Sequence, residues 1–428
     1  MVSWLPRLPG DWMYLPFVGL LLGAVGIFLG WRFRVNVWLF CVSWFYIFVI
    51  DVSVYNNHYY LILLLAILLG LTDAHRFLSL DARRNPTLRS ETVPYWQLFL
   101  FQFQVFVLYF YGGLSKLHVK WLDGTIMTSL VSAFVEHRVL GFLALPSVVM
   151  LWTYCGLLFD LLVGFFLFWK PTRKWALWSC VGFHLFNEWL LFAPHATRAP
   201  IGIFPMMGVA LCFVFLDRHA LLSFFLRLKR GLDNVLRQMG VLIPVYDRSE
   251  MKPLLLPNNS EGRWRPWILA FVGVYMVIQV GLPLRKYMFP DHLWTREGFL
   301  FAWTMKMSTY SKRNFIQFTV KDELSGFSWQ VDVREHLTYL QYQKICHTPY
   351  MAWVYAGYLS DLYAQNKDLQ YAWKLRRQTG LPDPQVYVTQ SGVSLHSFTT
   401  SPLISPDVDL AHETYSYWRH NAWILLRE

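Results

Sequence analysis

The chain has 428 residues, of which 55% are hydrophobic, 18% are aromatic and only 15% are charged. A soluble protein normally carries about 25% charged residues, so this composition excludes an ordinary soluble globular protein and indicates an integral membrane protein. The net charge of +11 does not indicate a nucleic-acid partner, because the basic residues are dispersed among short loops and one stretch, 218–265. That distribution suits the anionic headgroups of membrane lipid.

Apolar runs long enough to cross a bilayer follow one another through most of residues 1–284. A hydrocarbon core about 30 Å thick needs roughly 20 apolar residues in a helix. By this criterion the predicted spans are 12–31, 35–52, 58–76, 95–116, 147–169, 173–193, 200–216 and 266–284. The segment 121–146 is interrupted by Gly124, Gly141 and Pro146, which predicts an interfacial or re-entrant helix, with a ninth span as the alternative. The predicted fold class is a membrane all-α bundle of about eight or nine transmembrane helices.

The positions of lysine and arginine predict an orientation. The basic loops that fall on one side of the predicted bundle are 32–34, 76–89, 170–174 and 218–265. The loops on the opposite side, 51–58 and 194–199, hold a single arginine. Cytoplasmic loops carry an excess of Lys and Arg, so the chain after residue 284 is predicted to be non-cytoplasmic. The membrane could be a bacterial inner membrane or an endoplasmic reticulum.

Residues 285–428 have the composition of a soluble module, predicted to be small and α+β. Two stretches, NFIQFTVKD and GFSWQVDV, alternate apolar and polar residues on either side of a short connection, which is typical of a β-hairpin. A helix is predicted at 350–365, and QVYVTQSGVSLHS is strand-like. The predicted domains are therefore a transmembrane domain, 1–284, and a non-cytoplasmic module, 285–428.

Polar side chains recur near the non-cytoplasmic ends of three predicted spans. They are Asp51, Asn56, Asn57 and His58 before or at the start of the third span, Lys116 and His118 at the end of the fourth, and His184, Asn187 and Glu188 on the sixth. Ionisable groups inside a membrane are costly and usually face the interior of the bundle. Their similar depth predicts one polar pocket.

Other interpretations of these residues remain open at this stage. Lys116 could be an anchor that extends to water, as lysines at helix ends often do, and His184 could make an ordinary contact between helices. Asp160, in the middle of the fifth span, needs a partner because an isolated buried carboxylate is costly. The pair Gly112 and Gly113 favours close approach of two helices. No HxxxH, HExxH or CxxC pair is present, so no metal is expected.

The order of these motifs resembles that of a known family. NNHxY, an apolar span ending in GxxKL, and FHxxN on a later span are similar to motifs of the vitamin K-dependent gamma-glutamyl carboxylases and their wider relatives, the HTTM (horizontally transferred transmembrane) proteins. Further matches are TDAH (72–75), LDARR (80–84), FAWTMKM (301–307), PQVY (384–387) and SPDVDL (405–410). The resemblance extends over nearly the whole chain.

The resemblance implies roles for particular residues. The catalytic lysine of the family falls on Lys116, and the histidine that assists it falls on His58. The residues that correspond to the pocket for quinol or substrate are Asp51, Tyr55, Asn56, Asn57, His184 and Asn187. Tyr55 departs from the animal enzymes, which carry tryptophan at that position.

The resemblance also implies a reaction. Epoxidation of a reduced vitamin K or menaquinol by O2 would generate a base strong enough to remove a glutamate γ-hydrogen, and CO2 would then add to the side chain of a protein or peptide. Lys116 would begin this sequence as a neutral amine, since burial in apolar surroundings penalises the charged form. Two alternatives remain, a quinol epoxidase without protein carboxylation and a non-enzymatic membrane scaffold or carrier.

Overall fold

A computed structural model of the chain describes residues 5–51, 53, 55–90, 92–136, 138, 140–192, 204–217, 258–289, 298–304, 315–321, 326, 328–346, 348–364 and 385–391, with the single positions 223, 227, 231 and 238. The described part is mostly helical, with a small sheet towards the C-terminus. The chain divides into two compact units, one of 1–284 with 301–305 and one of 285–300 with 306–428. Most of the predicted basic segment, 218–265, lies outside the described residues.

The helices of the first unit account for most of the described chain. They are α1 (Leu15–Leu29), α2 (Phe33–Ile50), α3 (Asn57–Gly70), α4 (Leu80–Arg84), α5 (Tyr95–Leu114), α6 (Val119–Leu122), α7 (Thr125–Val131), α8 (Pro146–Phe168), α9 (Lys170–Phe192), α10 (Phe204–Cys212) and α11 (Asn258–Leu284). Among the described residues, five segments are long and apolar enough to cross a membrane. They are Gly10–Leu29, which contains α1, then α2, α5 and α8, and Arg265–Met288, which contains most of α11. The expectation of several apolar spanning helices is thus confirmed, while the total of eight or nine and their orientation stay predictions.

Two predicted segments differ from the observed helices, and a third is described only in part. The third span was expected to reach residue 76, but α3 ends at Gly70, because the chain turns there and the Asp73 N–H donates to the side-chain oxygen of Gln97 over 2.9 Å. Within the seventh predicted span, α10 continues as a 3-10 helix over Phe213–Phe215, and residues 200–203 lie outside the described part of the chain. The segment 121–146 contains short helices separated by Gly124, whose φ of +79° ends a continuous helix. Among the described residues of this segment no helix is long enough to cross a membrane, which favours the interfacial or re-entrant interpretation.

Helices α1 and α2 form a hairpin that glycine brings into close contact. An added Cβ at Gly23 would lie 2.9 Å from the backbone oxygen of Asn36, and one at Gly26 would lie 2.2 Å from the Asn36 side chain. Small residues at this spacing let two membrane helices approach closely. Asp81 then caps α2, since its carboxylate accepts hydrogen bonds from the N–H groups of Arg32 and Phe33, both over 2.8 Å.

Helix α5 is the centre of the first unit because several other elements pack against it. Its contact with α8 depends on Gly113, where an added Cβ would lie 2.7 Å from the backbone nitrogen of Leu161. This confirms that the glycine pair permits close approach of two helices. The Tyr111 hydroxyl donates to the Val280 carbonyl of α11 over 2.6 Å. Such interhelical hydrogen bonds hold membrane helices in register.

The second unit is built on a three-stranded antiparallel sheet of order β2–β1–β3. Its strands are β1 (Phe315–Lys321), β2 (Ser328–Gln330) and β3 (Gln385–Ser391), and its helices are α12 (Tyr339–Ile345) and α13 (Pro349–Ala364). The predicted hairpin is confirmed, with Val320 opposite Trp329, and so are the helix near 350–365 and the later strand. The buried ring of Phe318 packs edge-on against Tyr355 of α13 at 4.9 Å.

Candidate functional site: a buried lysine–aspartate pair and an asparagine turn

Lys116 forms a buried ion pair with Asp160. The ammonium Nζ lies 2.7 Å from Oδ2 of Asp160, and the two side chains are only 7% and 9% exposed. The same Nζ donates to the carbonyl oxygen of Gly156 over 3.2 Å. Lys116 therefore does not extend to water as a surface anchor, and that interpretation is wrong. The carboxylate in the middle of α8 has the partner that its position requires.

The local sequence explains how the amine reaches this carboxylate. Helix α5 ends at Leu114, two residues before the lysine, and Gly113 brings the end of α5 against α8. Gly156 and Asp160 are four residues apart and so lie on one face of α8. An added Cβ at Gly156 would lie 3.8 Å from the lysine Nζ, so a larger side chain there would crowd the amine.

Aromatic rings surround the amine. Nζ lies 4.6 Å from the ring centroid of Trp121 on α6 and 6.0 Å from that of Phe183 on α9. The indole N–H of Trp121 donates to the Thr153 carbonyl over 3.0 Å, which fixes the ring against α8. A cation is attracted to the face of such rings at these distances. The pair thus sits between four elements, with aromatic walls on two sides.

The Asp160 carboxylate changes the electrostatic argument for a neutral lysine. Burial alone favours an uncharged amine, but an opposite charge within about 4–6 Å favours the charged form. A buried ion pair is stable only when its geometry is good and additional hydrogen bonds are present. The short contact to Asp160 and the bond to Gly156 meet this requirement. The residues that hold Lys116 therefore favour an ammonium–carboxylate pair.

A second group of polar residues lies at the turn before α3, which we call the asparagine turn (residues 55–58). The Tyr55 hydroxyl donates to Oδ1 of Asn57 over 3.0 Å and accepts a hydrogen bond from the N–H of Phe301. The amide of Asn57 donates to the carbonyl of Thr304 over 2.8 Å. Residues 301–304 thus join the first unit through this turn, although the sequence assigned them to the C-terminal module.

The other predicted residues of this turn have structural contacts as well. Oδ1 of Asn56 accepts from the backbone N–H of His58 over 3.2 Å, so Asn56 is the N-cap of α3. Asp51 follows the end of α2, and its carboxylate accepts from the N–H of Ser53 over 2.8 Å. These contacts position the imidazole of His58 at the first turn of α3. Participation of these side chains in ligand binding stays a prediction.

The segment that contacts the asparagine turn has an unusual backbone. Phe301 and Trp303 have positive φ angles of 64° and 54°, a region that residues other than glycine rarely adopt. The ring of Trp303 packs beside Tyr60 at 5.1 Å, and its buried indole nitrogen has no hydrogen-bond partner among the residues that the structure describes. Backbone strain and an unsatisfied buried donor are features that cluster at functional sites.

His184 and Asn187 lie on α9. The imidazole Nε2 of His184 is 2.6 Å from the hydroxyl of Tyr109, and the ring is buried. Gly208 of α10 leaves room for this ring, because an added Cβ would lie 2.3 Å from Cε1. The interpretation of His184 as a helix–helix contact is thus confirmed, and Asn187 lies one turn further along α9, half-buried.

The structure arranges the predicted residues as three sets. Two of these sets contact one hydrophobic cluster, which includes Tyr60, Tyr109 and Trp303, with Tyr55 and Phe159 packed against it. Tyr55, Asn56, Asn57 and His58 come together at the asparagine turn, Lys116 pairs with α8, and His184 pairs with α5. Sequence reasoning missed Tyr109 and Trp121, and it did not join Asp160 to Lys116. The only signal for that pair was an isolated carboxylate in an apolar span.

These residues fit a flat, apolar molecule that carries a hydroxyl group. The aromatic rings beside the amine suit an aromatic ring, and the lysine–aspartate pair can hold and accept a hydroxyl proton. The unsatisfied indole N–H of Trp303 provides a further donor beside the asparagine turn. A reduced quinone has this chemistry.

Comparisons with known proteins place the chain in a family. The model of the HTTM domain matches residues 1–219, which is just over half of the chain. The model of the lumenal domain of vitamin K-dependent gamma-carboxylase matches residues 264–428. No solved structure matches the chain. The chain therefore belongs to the HTTM-domain family, and its C-terminal part is similar to the lumenal domain of vitamin K-dependent gamma-carboxylase.

Proposed function

We propose that the protein is a membrane carboxylase that couples epoxidation of a reduced naphthoquinol to carboxylation of glutamate side chains in a protein or peptide. The observation that carries this proposal is the buried ion pair of Lys116 and Asp160 beside aromatic rings, in a chain that matches the HTTM domain and the lumenal domain of vitamin K-dependent gamma-carboxylase. Ionisable residues are costly in an apolar membrane bundle, and where they occur they commonly mark a functional site. The position of a proton donor and acceptor there supports acid–base chemistry.

The proposed co-substrates are reduced vitamin K or menaquinol, O2 and CO2. When bound, the quinol and O2 supply an oxygen base strong enough to remove a γ-hydrogen from glutamate, which no protein side chain can do. The chain's own residues prepare this chemistry. Lys116 receives the quinol proton at Nζ as a general base, a role that typically contributes about 10²–10⁴-fold to a rate.

Other residues bind, orient and exclude water. The rings of Trp121 and Phe183 enclose the amine and keep water from it, which strengthens the electrostatic interactions inside the site. His58 at the asparagine turn orients the quinol or shares its proton. Asp51, Asn56 and Asn57 line the same side of the proposed quinol site. Tyr55 fixes Asn57, and His184 with Asn187 line the α9 side.

The proposed reaction takes place at a membrane. The first unit would hold the quinol within the membrane, in contact with lipid. The C-terminal module would lie on the non-cytoplasmic side of the membrane, from which a glutamate-containing protein or peptide would reach the site. This sidedness rests on the lysine and arginine pattern of the loops.

The proposal is tested with membranes that contain the full chain. They are incubated with reduced vitamin K, or in parallel with menaquinol, together with ¹⁴C-bicarbonate and a glutamate-containing peptide. Epoxide with label in the peptide is the expected result. Epoxide without label would overturn the carboxylation and leave a quinol epoxidase. The absence of both products would overturn the proposal and favour a scaffold or carrier.

A further inference from the structure

The ion pair with Asp160 raises a difficulty for Lys116 as a general base. An ammonium group has three donors and no lone pair, so it cannot accept a proton as it stands. Yet the amine of Lys116 is 2.7 Å from a carboxylate oxygen of Asp160, an arrangement that favours the ammonium form. A second group must therefore take part in the proton transfer.

We propose that Asp160 is the final proton acceptor when the quinol is deprotonated, and that Lys116 relays the proton to it. This inference rests on the proposed function. In the step, one N–H bond of Lys116 breaks as its proton moves to Oδ2 of Asp160, which leaves a lone pair on Nζ. The neutral amine rotates about its Cε–Nζ bond, and a new N–H bond forms as this lone pair takes the proton of the quinol hydroxyl. The products are a quinolate, an ammonium and a neutral carboxyl group. No electron is transferred and no further reactant is needed.

The geometry of the amine supports a relay. Two of its three N–H bonds point to acceptors in the described part of the chain, Oδ2 of Asp160 at 2.7 Å and the Gly156 carbonyl at 3.2 Å. The third is assigned to the quinol oxygen. The carboxylate bond is the shorter of the two, as charge-assisted hydrogen bonds are. The amine thus contacts the final acceptor on one side and the quinol on the other, and rotation about the Cε–Nζ bond links the two proton transfers.

Charge balance supports the same assignment. Before the step, the buried ammonium is paired with the Asp160 carboxylate. After the step, the ammonium is paired with the quinolate, and Asp160 is neutral. An unpaired buried charge would be costly, and neither state contains one. The aromatic faces of Trp121 and Phe183 are next to the ammonium in both states.

A comparison of two variants at position 160 separates the relay from a neutral-lysine mechanism. Asp160→Asn keeps the shape and an acceptor for the amine but cannot take a proton, so the relay predicts a loss of about a hundredfold or more in epoxide formation. Asp160→Glu keeps the carboxyl group and should recover at least a tenth of the wild-type rate. The matched control is Asp123→Asn, at an exposed aspartate after α6, which should stay near wild type.

The opposite result would overturn the relay. If Lys116 acted as a neutral base, removal of the carboxylate that favours the ammonium would leave the rate unchanged or raise it. Epoxide formation by Asp160→Asn at the wild-type rate or above would therefore contradict the proposal. A folded, quinol-binding Asp160→Glu protein with no activity would contradict it as well.

A second measurement detects the protonated carboxyl group directly in the wild-type chain. Infrared difference spectra of the purified wild-type chain are recorded on addition of reduced vitamin K without O2. The relay predicts a new band of a protonated carboxyl group that shifts on ¹³C-labelling of aspartate and is absent in Lys116→Arg. Wild-type protein that makes epoxide but shows no such band would overturn the relay alone. Wild-type protein that makes no epoxide would overturn the proposed function and the relay together.

Discussion

Near each end of α5 lies an aspartate that forms an ion pair with basic side chains, and the two sites differ in almost every other respect. Near the N-terminal end, Asp73 contacts Arg34 and Arg76 at 3.3 and 3.1 Å and also receives the amide of Gln97 at 2.8 Å. Near the C-terminal end, Asp160 has Lys116 as its hydrogen-bond donor among the described residues. A 20-residue helix separates the two sites by roughly 30 Å.

The difference lies in exposure and redundancy. The side chains of Arg34 and Asp73 are 46% and 19% exposed, whereas those of Lys116 and Asp160 are almost fully buried. A partly exposed aspartate with several partners keeps its loop in place even if one contact is lost. A buried pair cannot lose one member without leaving an uncompensated charge. The pairs of Asp73 therefore stabilise a turn, while the Lys116–Asp160 pair has properties suited to acid–base chemistry.

The largest expected effect is that of Lys116→Ala. It leaves the Asp160 carboxylate buried without its cation, so we expect the free energy of unfolding to fall by about 3–5 kcal/mol. Chemical unfolding in detergent micelles measures this loss. The double variant Lys116→Ala with Asp160→Asn should regain part of the stability, because the two sites are coupled, but it should form no epoxide. Equal losses for the single and double variants would contradict the pairing.

The next effect is that of Gly113→Ala. The added Cβ would lie 2.7 Å from the backbone nitrogen of Leu161, so α5 and α8 must move apart. Overpacking of this kind typically costs about 1–3 kcal/mol, and the separation should also lower epoxide formation. The matched control is Gly273→Ala on α11, where an added Cβ meets nothing within 4 Å. Equal stability of the two variants would refute the close approach.

A smaller effect is expected for His58→Ala. The cap of α3 uses the backbone N–H of residue 58, so alanine retains it. We expect epoxide formation to fall about tenfold and its pH dependence to change between about pH 5 and 8, where imidazole is the side chain that changes charge. An unchanged rate–pH profile would remove His58 from the mechanism.

The smallest effect is expected for Asp73→Asn. Burial raises the pKa of the Asp73 carboxyl, but the hydrogen bonds from Gln97 and Arg76 and the charges of Arg76 and Arg34 outweigh it, so the pKa lies below its usual range. A lowered pKa in the folded state adds stability above the unfolded pKa of about 4, and this is lost as the pH falls further. Since the pair is partly exposed, the contribution is below about 1 kcal/mol. Unfolding measured at pH 7 and below pH 4 should show the variant's deficit at the higher pH only.

The sequence was sufficient for features that depend on local pattern. Apolar runs of about 20 residues predicted the positions of α1, α2, α5 and α8 within a few residues, since membrane helices must satisfy this length. The end of α11 was predicted as well, but this helix begins eight residues before its predicted span, 266–284. Alternation predicted the β1–β2 hairpin, and the order of motifs predicted the family. The glycine at 113 indicated close helix packing before its neighbour was known.

The sequence was insufficient for features that depend on the register between helices. Lys116 and Asp160 are 44 positions apart, and only the packing of α5 against α8 brings their side chains together. The pairing of Phe301 and Thr304 with the asparagine turn spans an even longer distance along the chain. The early end of α3 depends on Gln97, which lies on another helix. Each contact is tertiary, and no local pattern encodes it.

The most direct test of the central claim compares two Lys-to-Arg substitutions four residues apart. Arginine keeps a positive charge beside Asp160 but does not give up its proton in proteins, so Lys116→Arg should fold and yet form at least about a hundredfold less epoxide from reduced vitamin K. Lys120→Arg on α6 should retain the wild-type rate. Epoxide formation by Lys116→Arg at the rate of Lys120→Arg would contradict a role of Lys116 in proton transfer.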